Sequence, residues 1–575
     1  MSAWKGGVLF TLLLCLPAGA GEHLARGRKG ALVSIHPLAS AAGLEMLQAG
    51  GNAVDAAVAT GFALAVVHPA AGNLGGGGFL VAALPGPGLV ALDFRETAPA
   101  AAHRTMFLDE EGRPRRQASL VGPLAAGVPG TPAGLLYALE KWGTLPREKV
   151  MTPALRLARQ GFVVGPSLNR SLARRSVRRA MARFPASLAL FYPEGRPLAA
   201  EATLVQPDLA RTLERIAEKG RGGFYAGETA RCIVAACRRH GGIITPADLA
   251  GYRPRLRKPL AMTWRGHQVV TMPPPSSGGV CLCQMLALVD ADLPRPGAGV
   301  PFVSAAKVDL LARAMRLAFA DRAAWLGDPD FFPLPLAGLV AEDYLARRAR
   351  LLAPGKPLVP VGPGRPPGAE RIEPSRGGGP AEGDQTTHYV AVDRAGGCVS
   401  LTTTLNSSFG AKVVVAGAGF LLNNEMDDFS VAPGTPNQFG LVGGEANAIE
   451  PGKRMLSSMS PTLVRREGKV VLALGSPGGP RIINTVFQVI VNRIGLGMDL
   501  RWAINNPRFH QQWRPRSLYL EENCFCPEIK EKLSALGWRL QAIPAVGRCQ
   551  AIGREEGGWW CALSDLRGEG GALAH

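Results

Sequence analysis

The sequence runs to 575 residues, 47% hydrophobic and 19% charged, with 72 glycines and 47 prolines. Such a chain holds ample material for a core, which excludes a disordered or fibrous protein, and no Gly-X-Y period points to collagen. The formal charge of +19 at pH 7 invites a nucleic-acid reading, but the basic residues are scattered and no zinc-finger, RRM-like or basic-zipper pattern accompanies them.

At the N-terminus, Lys5 is followed by an apolar run from Val8 to Leu16 and then Pro17-Ala18-Gly19-Ala20. A basic start, a short apolar core and a small-residue cleavage site read as a secretory signal over residues 1–20. The run is too short to span a bilayer comfortably, and no other segment reaches about 18 uninterrupted apolar residues. The mature chain is therefore expected to be exported, periplasmic or secreted, with no stable membrane span. Export permits disulfides. Of ten cysteines, Cys15 leaves with the signal. Cys281 and Cys283 sit two apart, as do Cys524 and Cys526, without the second pair or histidines that zinc would need, so buried free thiols and no metal are expected.

From Ala41 the spacing predicts a helix closed by Gly50-Gly51, after which Asn52 caps a second apolar helix, Ala53 to Val67. A glycine run, Gly75 to Gly78, precedes a strand-like stretch at Phe79. Residues 130–350 read as mostly helical, and the one dense basic run, Arg170 to Arg183, reads as a solvated helix face. Between Ala353 and Asp384, eight prolines and eight glycines occupy 32 positions, which leaves only a loop. It ends abruptly at Thr386-Thr-His-Tyr-Val-Ala-Val392, a turn at 393–397, and Cys398-Val-Ser-Leu-Thr-Thr-Thr-Leu405. Both flanks are rich in β-branched residues and predict a β-hairpin. The loop before it is either a linker between domains or a processing site. If Val392 faces Cys398, then Thr386 faces Thr404, with Cβ atoms about 4.5–5.5 Å apart and the hydroxyls able to touch. On its own such a pair is equally an ordinary cross-strand contact.

Other motifs give the pair a context: Gly51-Asn-Ala-Val-Asp-Ala-Ala57, Gly72-Asn-Leu-Gly-Gly-Gly-Gly-Phe79, Asp93-Phe-Arg-Glu96, Met272-Pro-Pro-Pro-Ser-Ser-Gly-Gly279, Asn423-Asn-Glu-Met-Asp-Asp-Phe429, Leu456-Ser-Ser-Met-Ser-Pro461 and Gly475-Ser-Pro-Gly-Gly479. In this order and spacing they resemble the γ-glutamyltransferases (γ-glutamyl transpeptidases), of the N-terminal nucleophile hydrolase superfamily, over about residues 30–570. The resemblance implies an α+β fold, an αββα four-layer sandwich with two mainly antiparallel sheets. It also implies an inactive precursor cut by its own threonine at Gln385–Thr386, giving a large subunit (21–385, with the 353–384 segment before the cut) and a small catalytic subunit (386–575) that remain a heterodimer.

Carried over residue by residue, the resemblance makes Thr386 the nucleophile, its freed α-amine a base titrating near pH 8, and Thr404 the group that orients its hydroxyl. Thr402 supports that network. Arg95 would grip the substrate α-carboxylate as a bidentate donor, helped by Ser457 and Ser458; Asn406, Glu425 and Asp428 would accept from the α-ammonium. Gly478 and Gly479 would supply main-chain N–H groups to the oxyanion. Pro433 to Gly444 resembles a lid loop in which Phe439 stands where many bacterial members carry tyrosine, and Glu425 stands where some carry glutamine. The expected reaction is transfer of a γ-glutamyl group from glutathione or a similar donor to water, an amino acid or a peptide, without cofactor and without nucleic acid. Two rivals are a cephalosporin (glutaryl) acylase of the same superfamily and an exported pseudoenzyme that only binds.

Overall fold

The computed structural model describes residues 22–115, 117–297, 303–370, 386–432, 437–438 and 443–575; the signal segment, Gln385 and Phe439 lie outside them. At the centre is the hairpin. Strands Thr386–Val392 and Cys398–Thr404 pair antiparallel, with Val392 opposite Cys398 and Thr386 opposite Thr404. The turn fixes that register: the Gly397 N–H donates to Asp393 Oδ1 at 2.8 Å, and a Cβ at position 397 would stand 2.4 Å from the same carboxylate. Alternation then sorts the side chains by face. Val390, Val392 and Cys398 enter one apolar cluster, whereas Tyr389, Ala391, Val399 and Leu401 enter another. Thr386, His388, Thr402 and Thr404 therefore share the face of Val390 and Val392.

That face looks at a second sheet. The first has the strand order Ala572–Ala574, Ala31–Val33, Thr386–Val392, Cys398–Thr404, Gly77–Leu84, Gly88–Phe94, Arg255–Arg257; the second runs Leu24–Gly27, Trp560–Ser564, Gln550–Arg554, Lys469–Gly475, Thr462–Arg466, His267–Thr271, Leu260–Trp264. Every pairing within both is antiparallel. Val81, Val270, Leu463, Ala473 and Ile552 join the cluster between the sheets. Outside the first sheet lie helices Pro37–Gln48 and Ala53–Val67. The second of these is buried along its whole length and begins at Asn52 with a reciprocal cap to Asp55, worth about 1 kcal/mol. Outside the second sheet lie Gly278–Val289, Ala305–Trp325 and Arg481–Ile490. The result is helix, sheet, sheet, helix, the four-layer α+β arrangement that the family resemblance implied.

One sequence reading needs correction and two gain detail. The 130–350 region is mostly helical, with short strands at Arg255–Arg257, Leu260–Trp264 and His267–Thr271 that leave no clear period. The basic run is two helices, Pro166–Ala173 and Arg175–Met181, because Arg174 between them takes an extended conformation; its arginines are exposed. Cys281 and Cys283 are buried, but Cys524 and Cys526 are exposed, since they lie on the connection between strand Ser517–Glu521 and helix Pro527–Ala535. Among the described residues no helix is long and apolar enough to cross a membrane.

Candidate active site

The Thr386 hydroxyl donates to Thr404 Oγ1 at 3.3 Å, and Thr404 Oγ1 also accepts from the Asn406 N–H at 2.8 Å. Thr404 is held from behind as well. The Asn73 side-chain amide donates to the Thr404 carbonyl at 3.0 Å and to Thr403 Oγ1 at 3.1 Å, while Asn73 Oδ1 accepts from the Gly76 N–H and the Thr131 hydroxyl. The glycine run makes this approach possible: a Cβ on Gly76 would lie 2.0 Å from the Thr404 carbonyl oxygen, and one on Gly78 2.3 Å from that of Thr402. One register step further in, Thr402 Oγ1 pairs with His388 Nδ1 at 2.8 Å. His388 is fully buried, and burial pushes its imidazole down to about 3, so it stays neutral.

Across the cavity Arg95, itself fully buried, sends Nη1 to Glu425 Oε2 at 2.6 Å and Nη2 to Asp428 Oδ2 at 2.5 Å, with Nε to the Met455 carbonyl at 3.2 Å. Glu96 stands 3.5 Å from the same guanidinium. Burial works against the Arg95 charge, yet Glu425, Glu96 and Asp428 outweigh it and hold its pKa above the ordinary value. The acids have the opposite problem. Burial pushes Glu96, Glu425 and Asp428 upward, against the downward pull of Arg95. One guanidinium thus faces three carboxylates, and Oε1 of both Glu96 and Glu425 has no hydrogen-bond partner. The pocket is short of positive charge in contact, since Arg454 and Arg322 reach Glu96 and Asp428 only through space, and a buried carboxylate oxygen without a donor is expensive. An incoming ammonium would supply both.

Asn406 takes a left-handed conformation (φ 75°) and gives its side-chain amide to the Asn424 carbonyl at 3.0 Å, so what it still has to offer is an oxygen. The pair Ser457-Ser458 is fixed by the 273–279 segment: the Ser457 N–H donates to the Pro275 carbonyl at 2.8 Å, its own carbonyl accepts from the Ser277 N–H and hydroxyl, and Arg322 Nε donates to Ser277 Oγ at 2.9 Å. Gly478 and Gly479 have φ of 126° and 54°, where a side chain would be strained, and lead directly into helix Arg481–Ile490. From the 433–444 segment, the Asn437 amide reaches Asp428 Oδ1 at 3.3 Å and the Gln438 N–H reaches Asp427 Oδ2 at 3.1 Å. Burial lifts Asp427 to about 7.

Arg95, Thr386, Thr404, Asn406, Glu425, Asp428, Ser457, Ser458 and Gly479 line one cavity, together with Met459 and Ile482. Gly478 adjoins it in sequence, and Thr402 lies outside its lining, bonded to His388. Sequence reading gave no role to Asn73, Glu96, His388 or Asn424, although each sits inside a quoted motif; the signal was there without a pairing partner to interpret it. Ile482 carried none. A larger cleft beside Tyr252, Arg253 and Asp330 adjoins Arg95 through the Tyr252 hydroxyl, which donates to the Arg95 carbonyl at 2.8 Å, but it lacks a paired nucleophile.

A family model described as gamma-glutamyltranspeptidase matches residues 39–575. The chain is 45% identical over 533 residues to the glutathione hydrolase proenzyme of Escherichia coli strain K12, covering 92% of this chain and 89% of that one. Among solved structures, cephalosporin acylase from Bacillus halodurans is similar with a TM-score of 0.83 at 26% identity, covering 99% of each chain. Helicobacter pylori gamma-glutamyltranspeptidase gives 0.54 at 40% identity, covering 59% of this chain and 93% of that one.

Proposed function

The chain belongs to the γ-glutamyltranspeptidase family, and we propose that it cleaves and transfers the γ-glutamyl group of glutathione and related amides through an ester on Thr386. Maturation comes first. The Thr386 hydroxyl attacks the Gln385 carbonyl carbon, the peptide bond shifts to an ester, and water opens it, leaving chains 21–385 and 386–575. The freed Thr386 α-amine then accepts the proton of its own hydroxyl while Oγ attacks the γ-carbonyl, and Thr404 keeps that hydroxyl aimed. The N–H groups of Gly478 and Gly479 receive the oxyanion. The amine leaves with the proton, and water or an acceptor amine repeats the sequence in reverse.

Binding is an exchange of partners. Arg95 leaves part of its contact with Glu425 and Asp428 to hold the substrate carboxylate beside Ser457 and Ser458, and the substrate ammonium takes up the freed carboxylate oxygens and Asn406. The observation that carries this reading is the unpartnered Glu425 Oε1 in the same cavity as Thr386. It also weighs against the rival suggested by the acylase neighbour, because a glutaryl group has no amine to offer it. Phe439 would cover the pocket as an apolar lid residue, and the 1–20 segment would direct export.

The test is denaturing electrophoresis of wild type beside Thr386→Ala, with N-terminal sequencing of both wild-type bands. A smaller band beginning Thr-Thr-His-Tyr, a larger one beginning after residue 20, and a single uncut variant band are expected. An uncut wild type would overturn the autoprocessed nucleophile.

A further inference from the structure

The nine cysteines among the described residues are all free, and two of them, Cys524 and Cys526, are exposed. Phe525 between them is 4% exposed. It packs edge-on against Phe509, ring centroids 6.5 Å apart, in the core of the second sheet's helical layer. With the middle residue anchored inward, the flanking thiols are left on the outward side of the same short connection. The two differ in surroundings. Cys526 is the N-cap of the nine-residue helix Pro527–Ala535, at the positive end of its dipole. Burial and the nearby Glu521 push the Cys524 thiol up, with Arg567 pulling back. Neither cysteine lines the cavity at Thr386.

We propose that Cys524 and Cys526 are a surface dithiol that reduces small disulfides, closing to an intramolecular Cys524–Cys526 bond. The oxidant is a low-molecular-weight disulfide of the cysteine class, the oxidised form of a glutathione-type thiol included. The Cys526 thiolate attacks one sulfur of that disulfide; its S–S bond breaks and the first thiolate leaves with the electron pair. The Cys524 thiol gives its proton to water and attacks Cys526 Sγ, expelling the second thiolate. One disulfide gains two electrons and becomes two thiols, and the protein dithiol loses two electrons and two protons. The anchored phenyl ring keeps both thiols outward through both steps.

The probe is bis(2-hydroxyethyl) disulfide, which has no γ-glutamyl group; turnover at Thr386 cannot consume it, so failure here is separable from failure of the proposed function. The reduced full-length protein is treated, quenched with acid, digested, and the peptide containing 524–526 is weighed. The wild-type peptide is expected to lose two hydrogens and keep no adduct. Cys524→Ser should retain one mercaptoethanol unit on Cys526, and Cys526→Ser should take one up on Cys524 more slowly. A retained wild-type adduct, no reaction at either position, reaction confined to Cys232, or chains cross-linked on a non-reducing gel would each overturn the proposal.

Discussion

Glu425 shows how much one side chain can decide. Its Oε2 is bound to Arg95 and its Oε1 to nothing, so its worth differs between substrates with and without an α-amine. Glu425→Ala is expected to lower kcat/KM for a γ-glutamyl anilide by roughly 10- to 100-fold, the scale of a charge-assisted hydrogen bond, while changing the glutaryl anilide little; equal losses on both would remove Glu425 from ammonium recognition. Asn73 acts at one remove, through the Thr404 carbonyl. Asn73→Ala should lower kcat by about tenfold, the effect of some 1.4 kcal/mol, and leave KM nearly unchanged, since it touches none of the groups proposed to hold the substrate. Steady-state kinetics would separate this from general loosening, which would raise KM as well.

Among the elements, the nucleophile strand is gripped from both sides. Gly475, in strand Lys469–Gly475, leaves room for the His388 ring: a Cβ there would lie 2.4 Å from it. Gly475→Ala is expected to cost about 1–3 kcal/mol of stability by overpacking and to impair chain cleavage by pushing His388 off Thr402; urea unfolding and a gel report the two effects. Helix Arg481–Ile490 carries a pH-sensitive joint. His510 pairs through Nδ1 with the Asn484 amide and through Nε2 with Gln512 Oε1, the pattern of a neutral ring. Burial lowers it from 6.5 to about 3. In the unfolded chain it takes a proton below its ordinary pKa and in the folded chain only near the lowered one, so stability is lost as the pH drops, by about 1.4 kcal/mol per unit in that window. Glu96 and Asp427, with raised values, act in the opposite sense. The informative quantity is therefore the difference between Thr386→Ala and Thr386→Ala/His510→Gln. Its slope should vanish above about pH 6.5, and a flat difference below it would contradict a neutral buried His510.

At the scale of the molecule, residues 22–370 and 386–575 do not form separate bodies. In the first sheet the hairpin 386–404 lies between Ala31–Val33 and Gly77–Leu84; in the second, strands from 462–475 and 550–564 are flanked by Leu24–Gly27 and His267–Thr271. Cutting the chain before Thr386 leaves every one of these ladders intact. The cleaved chains are expected to co-elute in gel filtration at high salt and to part only in denaturant, because backbone hydrogen bonds and buried apolar area, not surface ion pairs, join them. Separation by salt alone would contradict that.

The sequence by itself pointed to the hairpin, because β-branched strands flank a five-residue turn, and to the capped helix Ala53–Val67; the register followed only once Val392 was set opposite Cys398. It also carried the family and most of the cavity, since those residues fall in motifs whose order is itself informative. Tertiary structure decided what no spacing encodes. Asn73 meets Thr404 across 331 positions and Arg95 meets Glu425 across 330, through sheet pairings that a one-dimensional pattern leaves open. The imbalance of three acids, Glu96 and Glu425 fully buried and Asp428 partly so, against Arg95 exists only once the segments carrying residues 95–96, 425–428 and 455–458 converge, and the exposure of Cys524 and Cys526 follows from Phe525 turning inward. Periodicity reports which face of an element is buried; which other segment buries it is a matter of long-range contact.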